Sequence, residues 1–400
     1  MTAIPTGEYA VRDIHSIDDL RRRAKRRLPA MVYDFIEGGA LDELTLRRNR
    51  EALDAQLLPQ RVLVDTSQRH ATASILGTRL DLPLVVSPMG LLTVCHPDAD
   101  VAIARAAATA GSVFVHSPWS GCSLEEVSDA APGRVWAQIA FWTDDAETQR
   151  HIDRAHALGV DTLVIAGDVA VSSKRDRDLR HGTGMPPRPP LRDVVDTALH
   201  PGWVMRWLLG RSMTWGNYSL DGRAIRMREM EAWMERNENQ TASWDDIARL
   251  RSRWKGNIVV KGIMTQADAR LAIEHGADGV FVSNHGGRQF DGQLATIEAL
   301  PAVVDAVDGR AAVIMDGGIR RGADIAKALS LGADVAAAGR PFALGLAAAA
   351  QAGATRAFEV LHDELLTVMG FLGATRVEEL AAADCGAVDA FDEAEAEVVP

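Results

Sequence analysis

Eight short apolar segments, each followed by a stretch with helical periodicity, recur between residues 84 and 351. Short segments rich in valine, isoleucine and leucine are typical of buried parallel strands. The predicted strands span residues 84–87, 113–116, 135–141, 162–165, 258–260, 279–282, 312–315 and 335–338. The predicted helices span residues 98–110, 123–130, 144–158, 243–254, 265–274, 295–307, 322–329 and 342–351. This alternation predicts an α/β fold of the (β/α)8 TIM barrel type, and its regularity favours a closed barrel over an open doubly wound sheet.

A long insert interrupts the alternation after the fourth strand, at about residues 170–242, where connections are usually short. It contains a proline-rich run at 185–190. A segment with tryptophans and arginines follows: Trp203, Arg206, Trp207, Arg211 and Trp215. Tryptophans beside arginines can lie in a membrane interface. More often such a segment forms the core of a lid or part of a subunit contact, and the pattern leaves these interpretations open.

The two ends of the chain lie outside the repeating units. Helices are predicted at 16–27 and 30–37, and the first begins at Ser16 with Asp19 as a partner resembling a capping box. Residues from about 384 to 400 form an acidic tail that is most simply solvated and partly disordered. We therefore predict one domain over residues 1–400, built around the barrel.

Composition narrows the classes of function. The net charge of −12, without a basic stripe, argues against a nucleic-acid partner. Three distant cysteines, Cys95, Cys122 and Cys385, provide neither a disulfide framework nor a metal site. The N-terminus has no signal peptide, and no apolar run reaches the roughly 18 residues of a membrane span. We predict a cytoplasmic protein that is at most peripheral at the membrane.

A polar loop follows the sixth predicted strand at residues 283–292. His285 can exchange a proton near neutral pH, and Arg288 can hold an anion with two donors. The glycines between them let the backbone turn sharply and approach a ligand closely. A base, a turn and an anion clamp at a strand end predict an active-site loop.

Two further loops predict a phosphate site. Strand seven is followed by Asp316, Gly318 and Arg320, and strand eight by Gly339 and Arg340. Glycine amides at helix N-termini, with arginines beside them, form a cradle for a phosphate monoester. Barrels often bind phosphate in these two loops, so the pattern predicts a phosphorylated ligand.

Three polar residues at other strand ends complete the candidate site. Lys261 can stabilise negative charge on a reduced cofactor ring. Asp168 can orient His285 and stabilise its imidazolium form. Gln138 lies in the third predicted strand. The structural alternative is a salt bridge between Lys261 and Asp168 that only closes the barrel top.

These motifs resemble the FMN-dependent 2-hydroxy acid oxidase/dehydrogenase family. The resemblance rests on residues 283–289 (SNHGGRQ), 260–262 (VKG) and 316–322 (DGGIRRG), and it extends over nearly the whole chain from residue 31. Residues 168–171 and the proline-rich insert are most similar to the mandelate dehydrogenases of that family, whose insert associates with membranes. The resemblance also implies a homo-oligomer, a tetramer.

The resemblance implies FMN as the cofactor and assigns roles residue by residue. His285 would be the catalytic base, paired with Asp168. Arg288 would bind the substrate carboxylate, with Arg175 as a second anion contact. The implied cofactor contacts are Pro88, Met89, Gly90, Ser117 and Gln138 along the flavin ring with Ser283 nearby, Lys261 at the flavin N1/O2 edge, Asp316 at the ribityl chain, and Gly318, Arg320, Gly339 and Arg340 at the phosphate.

The chain departs from the family where the substrate binds. Phe35 and Ala140 replace two tyrosines, and Ala166 replaces a threonine. Each lost hydroxyl removes about 1–3 kcal/mol where it is buried and paired with charge, and Ala140 also opens space.

We predict an FMN-dependent enzyme that oxidises an anionic 2-hydroxy acid, bulky or aromatic and mandelate-like, to the 2-oxo acid. The electrons would pass from the flavin to oxygen, a quinone or a protein carrier. The alternatives are flavin-dependent oxidation of a non-standard substrate in specialised metabolism, and a flavin-binding protein with little catalysis.

Overall fold

The structure is a computed structural model that describes residues 11–183, 187–220, 223–382 and 385–386. The predicted acidic tail lies outside the described residues except for residues 385–386. Residues 185–186 of the proline-rich run also lie outside them.

From residue 11 onward, three helices and a hairpin precede the barrel: α1 Ile17–Arg27, α2 Ala30–Glu37, α3 Leu44–Ala55, β1 Ala73–Ile75 and β2 Thr78–Leu80. Ser16 caps α1 as predicted, because its Oγ accepts a hydrogen bond from the Asp19 backbone N–H at 3.2 Å. Helix α2 has the predicted bounds and ends before Gly38. Helix α3 was not predicted from the sequence.

The chain then continues through β3 Leu84–Val86, α4 Ala99–Thr109, β4 Phe114–His116, α5 Leu124–Ala130, β5 Val135–Ile139, α6 Asp145–Ala157 and β6 Thr162–Ala166. The insert contains α7 Asp176–Arg180, α8 Leu191–Ala198, α9 Pro201–Leu209, β7 Thr214–Leu220, β8 Arg223–Arg226 and α10 Met227–Asn237. The barrel is completed by α11 Trp244–Arg253, β9 Asn257–Ile263, α12 Gln266–Glu274, β10 Gly279–Val282, α13 Thr296–Val307, β11 Ala312–Met315, α14 Gly322–Ser330, β12 Val335–Ala338 and α15 Arg340–Leu372.

The eight strands β3, β4, β5, β6, β9, β10, β11 and β12 form a closed barrel in that order. All neighbours are parallel, and β12 closes the barrel on β3 through the pair Ala337 and Val85. This architecture confirms the predicted (β/α)8 barrel.

The barrel interior is a packed apolar core of alternating strand residues. It includes Val85, Val115, Trp136, Val164, Val259, Phe281 and Ile314. Ile75 and Leu80 of the β1–β2 hairpin join the same cluster, so the hairpin covers the end of the barrel at which the strands begin. The opposite end, where the strands finish, carries the polar loops.

The last barrel helix is longer than the predicted 342–351 segment, which corrects that boundary. Helix α15 contains a break at Ala349 and Ala350, which have non-helical backbone angles. Gly345 and Gly353 meet across the break, since a Cβ on Gly353 would lie 2.0 Å from the Gly345 carbonyl oxygen. The alanine- and glycine-rich sequence therefore lets two helices pack tightly where one was predicted.

Candidate active site

The loop after β10 holds His285 in a backbone conformation that side chains rarely adopt. The φ angles of His285, Gly286 and Gly287 are 58°, 63° and 74°. Gly287 is required here, because a Cβ would lie 2.5 Å from the backbone nitrogen of Leu46. A non-glycine residue with positive φ costs about 1–3 kcal/mol and persists only where its surroundings enforce it.

Asn49 of α3 enforces that conformation. Its Nδ2 donates to Asn284 Oδ1 at 2.9 Å, and Asn284 Nδ2 donates back to Asn49 Oδ1 at 2.7 Å. Asn284 Oδ1 also accepts the Gly287 N–H at 3.2 Å. Both side chains are buried, so this reciprocal pair fixes the loop that carries His285.

His285 and Asp168 form a hydrogen-bonded pair. Asp168 Oδ2 lies 3.1 Å from His285 Nδ1. Burial alone would raise the pKa of Asp168, but His285 and then Lys261 outweigh burial and lower that pKa to about 2. The ionised carboxylate can only accept, so Nδ1 carries the proton and Nε2 is left as the basic nitrogen. Nε2 has no hydrogen-bond partner among the described residues.

Lys261 lies at the barrel mouth on a chain of polar contacts. Its buried Nζ donates to Ser283 Oγ at 2.7 Å and lies 3.8 Å from Asp316 Oδ2. Ser87 Oγ donates to the same Asp316 oxygen at 3.0 Å. Lys261 therefore forms its direct ion pair with Asp316. The alternative prediction, a Lys261–Asp168 salt bridge that only closes the barrel top, is wrong.

Arg288 and Arg175 lie close to each other beside the base. Arg288 Nη1 donates to the Phe35 and Gly38 carbonyl oxygens, both at 2.8 Å. Burial, and next Arg175, lower the pKa of Arg288 to about 9. Its Nε and Nη2 have no hydrogen-bond partner among the described residues. An anion between the two arginines would relieve their repulsion and use these donors.

Asp178 balances part of this positive charge. Its carboxylate lies 3.4 Å from Arg175 Nε. Burial raises the pKa of Asp178 above the ordinary range, although Arg175 and Arg288 partly oppose that effect. The arginine pair thus retains an excess of positive charge for a ligand.

The predicted phosphate loops bring Arg320 and Arg340 together near Glu37. Burial, and next Arg340, lower the pKa of Arg320 to about 10. Arg340 donates to the carbonyl oxygens of Ile36, Gly286 and Gly38 at 3.0, 2.9 and 2.9 Å. Each of its terminal nitrogens keeps one further N–H.

Glu37 is a carboxylate at the edge of this cradle. Burial alone would raise its pKa, but Arg320 and Arg340 lower it below the ordinary range. Its Oε2 accepts from Arg21 Nε at 2.7 Å, whereas its buried Oε1 has no hydrogen-bond partner. The carboxylate keeps the two arginines charged despite their burial.

The other predicted cofactor residues surround the same space. A Cβ on Gly339 would lie 3.0 Å from Met89 Sδ, and a Cβ on Gly90 would lie 2.8 Å from Trp119 Cβ. Gly318 has φ +92°, and a Cβ there would lie 2.8 Å from the Asn49 carbonyl oxygen. The remaining residues of this group are the partly buried Pro88 and the buried Ser117 and Gln138.

These residues fit a flavin mononucleotide. Asp316 Oδ1 is buried without a hydrogen-bond partner and can accept from a ribityl hydroxyl. Two arginines beside glycine amides suit the phosphate, and the Lys261 ammonium suits an electron-rich ring edge.

The two positions where tyrosine is replaced have different surroundings. The Phe35 ring lies under Arg288, 5.3 Å from the guanidinium carbon. Ala140 packs against a cluster of insert and barrel aromatics that contains Trp142, Trp215, Tyr218, Trp233 and the partly buried Trp119. Trp119 meets Trp142 edge-on with ring centroids 5.5 Å apart. Aromatic rings therefore pack around Ala140.

Sequence reasoning missed four residues that shape the site: Asn49, Ser87, Glu37 and Asp178. Only Asn49 could have been found from the sequence, because it is a polar residue on the buried face of α3 that also carries Ala52 and Leu53. The other three lie close in sequence to predicted site residues: Ser87 next to Pro88, Glu37 two positions after Phe35, and Asp178 three positions after Arg175. Their contacts are made between elements far apart in sequence.

A (β/α)8 barrel with a histidine–aspartate pair and two pairs of arginines at the ends of its strands is typical of one class, the flavin-dependent barrel oxidoreductases. The chain belongs to the FMN-dependent dehydrogenase family, whose model matches residues 24–386. The predicted family, its FMN cofactor and an oxidoreductase acting on 2-hydroxy acids are thereby confirmed.

Individual relatives agree with this assignment. The chain is 38% identical to an L-lactate dehydrogenase of Pseudomonas aeruginosa (strain LESB58), over 92% of this chain and 97% of the relative. It is 37% identical to an L-lactate dehydrogenase of Vibrio cholerae serotype O1 (strain M66-2), with the same coverage. Its structure matches that of monotopic membrane (S)-mandelate dehydrogenase with a TM-score of 0.87 and 34% identity, over 92% of this chain and 98% of that one. A mandelate oxidase matches with a TM-score of 0.80 and 32% identity, over 93% and 98%.

Proposed function

We propose that this enzyme oxidises a 2-hydroxy acid with a bulky, apolar side chain, such as an arylglycolate, to the corresponding 2-oxo acid. FMN, when bound, supplies the two-electron acceptor. The observation that carries the proposal is Ala140, whose small apolar side chain packs against the aromatic cluster, so that apolar rings lie beside this position. Two of the solved structures similar to this chain are a mandelate dehydrogenase and a mandelate oxidase, which supports an aryl substrate.

His285 would take the proton of the substrate through Nε2. Asp168 holds the ring in the tautomer that leaves this nitrogen basic, and its negative charge stabilises the imidazolium as the proton arrives. The pair lies partly exposed at the barrel mouth, where a substrate can reach it.

Arg288 and Arg175 would hold the substrate carboxylate. Arg288 already uses Nη1 to bind backbone, so Nε and Nη2 present a two-donor face. Phe35 supplies no hydroxyl, and the carboxylate would therefore depend on the two arginines more than in relatives with tyrosine there.

The cofactor would be held by the residues assigned to it from the sequence. Asp316 would accept from the ribityl chain, and Arg320 with Arg340 would bind the phosphate through their remaining N–H groups. Lys261 would stabilise negative charge on the ring, since Ser283 and Asp316 fix its ammonium. The remaining predicted contacts would line the ring.

Reversal of the substrate-site substitution tests the function. Anaerobic mixing of the wild-type enzyme with lactate and with mandelate, followed by flavin absorbance, should show faster reduction by mandelate. In Ala140→Tyr the ratio of the two rates should shift toward lactate by about 10–200-fold, the range that pocket size alone supports. Ala140→Ser is the matched control and should keep the wild-type ratio. Faster reduction of the wild type by lactate, or reduction by no 2-hydroxy acid, would overturn the proposal.

We further propose that the enzyme docks on a membrane surface through α8 and α9. These helices expose a row of apolar side chains: Leu191, Val194, Val195, Leu199, Met205, Trp207, Leu208 and Leu209. The α8 residues follow the i, i+3, i+4 spacing of one helix face. No described helix is long and apolar enough to cross a membrane. The similar (S)-mandelate dehydrogenase is monotopic.

Docking would place the enzyme beside quinones dissolved in the bilayer, which favours a quinone over oxygen or a protein carrier as electron acceptor. After reduction by substrate, flavin absorbance should recover faster with a soluble quinone than with air-saturated buffer. Equal or slower recovery with the quinone contradicts this choice of acceptor. The homotetramer stays a prediction.

A further inference from the structure

A concave pocket separates α9 from the loop that follows β3. It is lined by His96, Pro97, Trp203, Arg206, Trp207 and Arg211, among others. Trp203 Nε1 donates to the Val94 carbonyl oxygen at 2.8 Å and fastens α9 to the loop. The rings of Trp203 and Trp207 are stacked with centroids 6.1 Å apart and planes inclined by 11°. Two indole rings therefore line the α9 side of the pocket.

Arg206 brings an uncompensated charge into this pocket. Its Nε is buried without a hydrogen-bond partner, and its guanidinium pairs with no carboxylate or carbonyl among the described residues. Burial lowers the pKa of Arg206. Leaving a partly buried cation unpaired is unfavourable, and an anion would relieve that cost.

The charges around Arg206 reinforce the preference for an anion. The pKa values of His96 and Arg27 are lowered by burial first, and Arg206 contributes to both shifts, so all three groups lie near one another. Glu126 pairs with Arg211. Asp98 is 66% exposed, and its backbone N–H donates to His96 Nδ1 at 3.2 Å. Neither carboxylate pairs with Arg206, which remains available.

The pocket continues into the apolar surface of α8 and α9. Trp207 lines the pocket and is itself 48% exposed, and Leu208 and Leu209 follow it on the same helix. In a helix docked on a membrane, tryptophans and arginines at the edge of the apolar face lie at the depth of the lipid phosphates.

We propose that this pocket binds the phosphate of an anionic lipid headgroup through Arg206. The inference rests on the proposed docking of α8 and α9 on a membrane. Arg206 would donate two parallel hydrogen bonds to the phosphate, and the stacked indoles would lie against the headgroup. The site makes docking selective for anionic lipid although the protein carries a net charge of −12.

Vesicle sedimentation tests the proposal with the FMN-loaded enzyme. Wild-type enzyme should bind phosphatidylcholine vesicles containing phosphatidylglycerol more tightly than pure phosphatidylcholine vesicles. Arg206→Gln should weaken binding to the anionic vesicles at least about tenfold, since it removes a charge-assisted pair. Arg192→Gln is the matched control, because it removes one charge from an arginine of α8 that is 65% exposed. A single peripheral charge contributes about fivefold or less.

The outcomes separate the two proposals. Equal losses in the two variants, or no preference of the wild type for anionic vesicles, would overturn the headgroup site while leaving docking intact. Binding to neither vesicle type would defeat docking and the lipid site together. If inorganic phosphate alone changes the indole fluorescence of wild type but not of Arg206→Gln while vesicles stay unbound, the ligand is a free phosphate and the lipid assignment is wrong.

Discussion

At the scale of single residues, the proposed base His285 and its partner Asp168 depend on each other for where the proton lies. Asp168 is ionised because His285 and Lys261 lie beside it, and the ionised carboxylate fixes the proton of His285 on Nδ1. A Cβ on Gly262 would lie 2.7 Å from Asp168 Cβ, so the backbone of β9 packs directly against the carboxylate. Little freedom remains for any other arrangement of the pair.

Asp168→Asn should reduce kcat by about 10²–10⁴-fold, because a neutral amide neither fixes the tautomer nor stabilises the imidazolium. Turnover is measured under saturating FMN, and flavin absorbance after gel filtration serves as the control for cofactor binding. Turnover within tenfold of wild type would contradict the role of Asp168.

At the scale of elements, His181 joins the insert to the entry helix. Its Nδ1 lies 2.9 Å from Asp193 Oδ2 of α8, and its Nε2 lies 2.9 Å from Asp34 Oδ2 of α2. Burial alone would lower its pKa, but hydrogen bonds to the two carboxylates raise it above 6.5. His181, when protonated, therefore ties α8 to α2, the helix that carries Phe35.

This clamp predicts a pH dependence. Because the folded-state pKa is raised, the stabilisation is complete below the unfolded value of about 6.5 and is lost as pH rises through the folded-state pKa. The free energy of unfolding of wild type should exceed that of His181→Gln by about 1.5–3 kcal/mol at pH 5.5, as expected for bonds to charged groups. The difference should shrink toward pH 9 in urea titrations. A difference that is constant from pH 5.5 to 9 would exclude the clamp.

The break in α15, where Gly345 and Gly353 meet, also belongs to the scale of elements. Gly353→Ala places a methyl group 2.0 Å from the Gly345 carbonyl oxygen and should destabilise the protein by about 1–3 kcal/mol or more. Gly370→Ala in the same helix is the control, because its nearest neighbour would lie 3.6 Å away. The control should stay within about 1 kcal/mol of wild type in thermal unfolding. Equal effects of the two substitutions would show that the close approach is not limiting.

At the scale of the whole molecule, the proposed cofactor site connects strands from both ends of the chain. Ser87 follows β3, the first strand of the barrel, whereas Asp316 and Gly339 follow β11 and β12, the last two. The barrel closes where β12 pairs with β3. A ligand bound across this seam should stabilise the entire fold.

Removal of FMN should therefore lower the Tm. At a free FMN concentration of 100 times Kd the cofactor adds about 2.7 kcal/mol. Asp316→Ala should weaken FMN binding about 10–100-fold and reduce this stabilisation, because a charged acceptor is lost. Asp363→Ala, on the exposed surface of α15, is the control. An unchanged FMN affinity in Asp316→Ala, measured by flavin fluorescence quenching, would exclude its role.

Much of this architecture was predictable because it depends on local pattern. Period and length of apolar segments indicated all eight strands, and polar residues at their ends indicated His285, Asp168, Lys261 and Asp316. The barrel helices were predicted within a few residues apart from α15, where glycine packing ends one helix and starts another. Helix α3 and the insert helices were not predicted, because they lie outside the repeating strand–helix units that guided the assignment.

The sequence by itself determined the fold, the family and the chemical inventory of the site, because strand periodicity and the motifs around His285 and Asp316 are local properties of the chain. Only the tertiary structure decided which groups meet. It paired Lys261 with Asp316 instead of Asp168, set Asn49 against Asn284, and turned the insert aromatics toward Ala140. These contacts join residues distant in sequence, and their energies depend on burial and charge that arise only when the barrel closes.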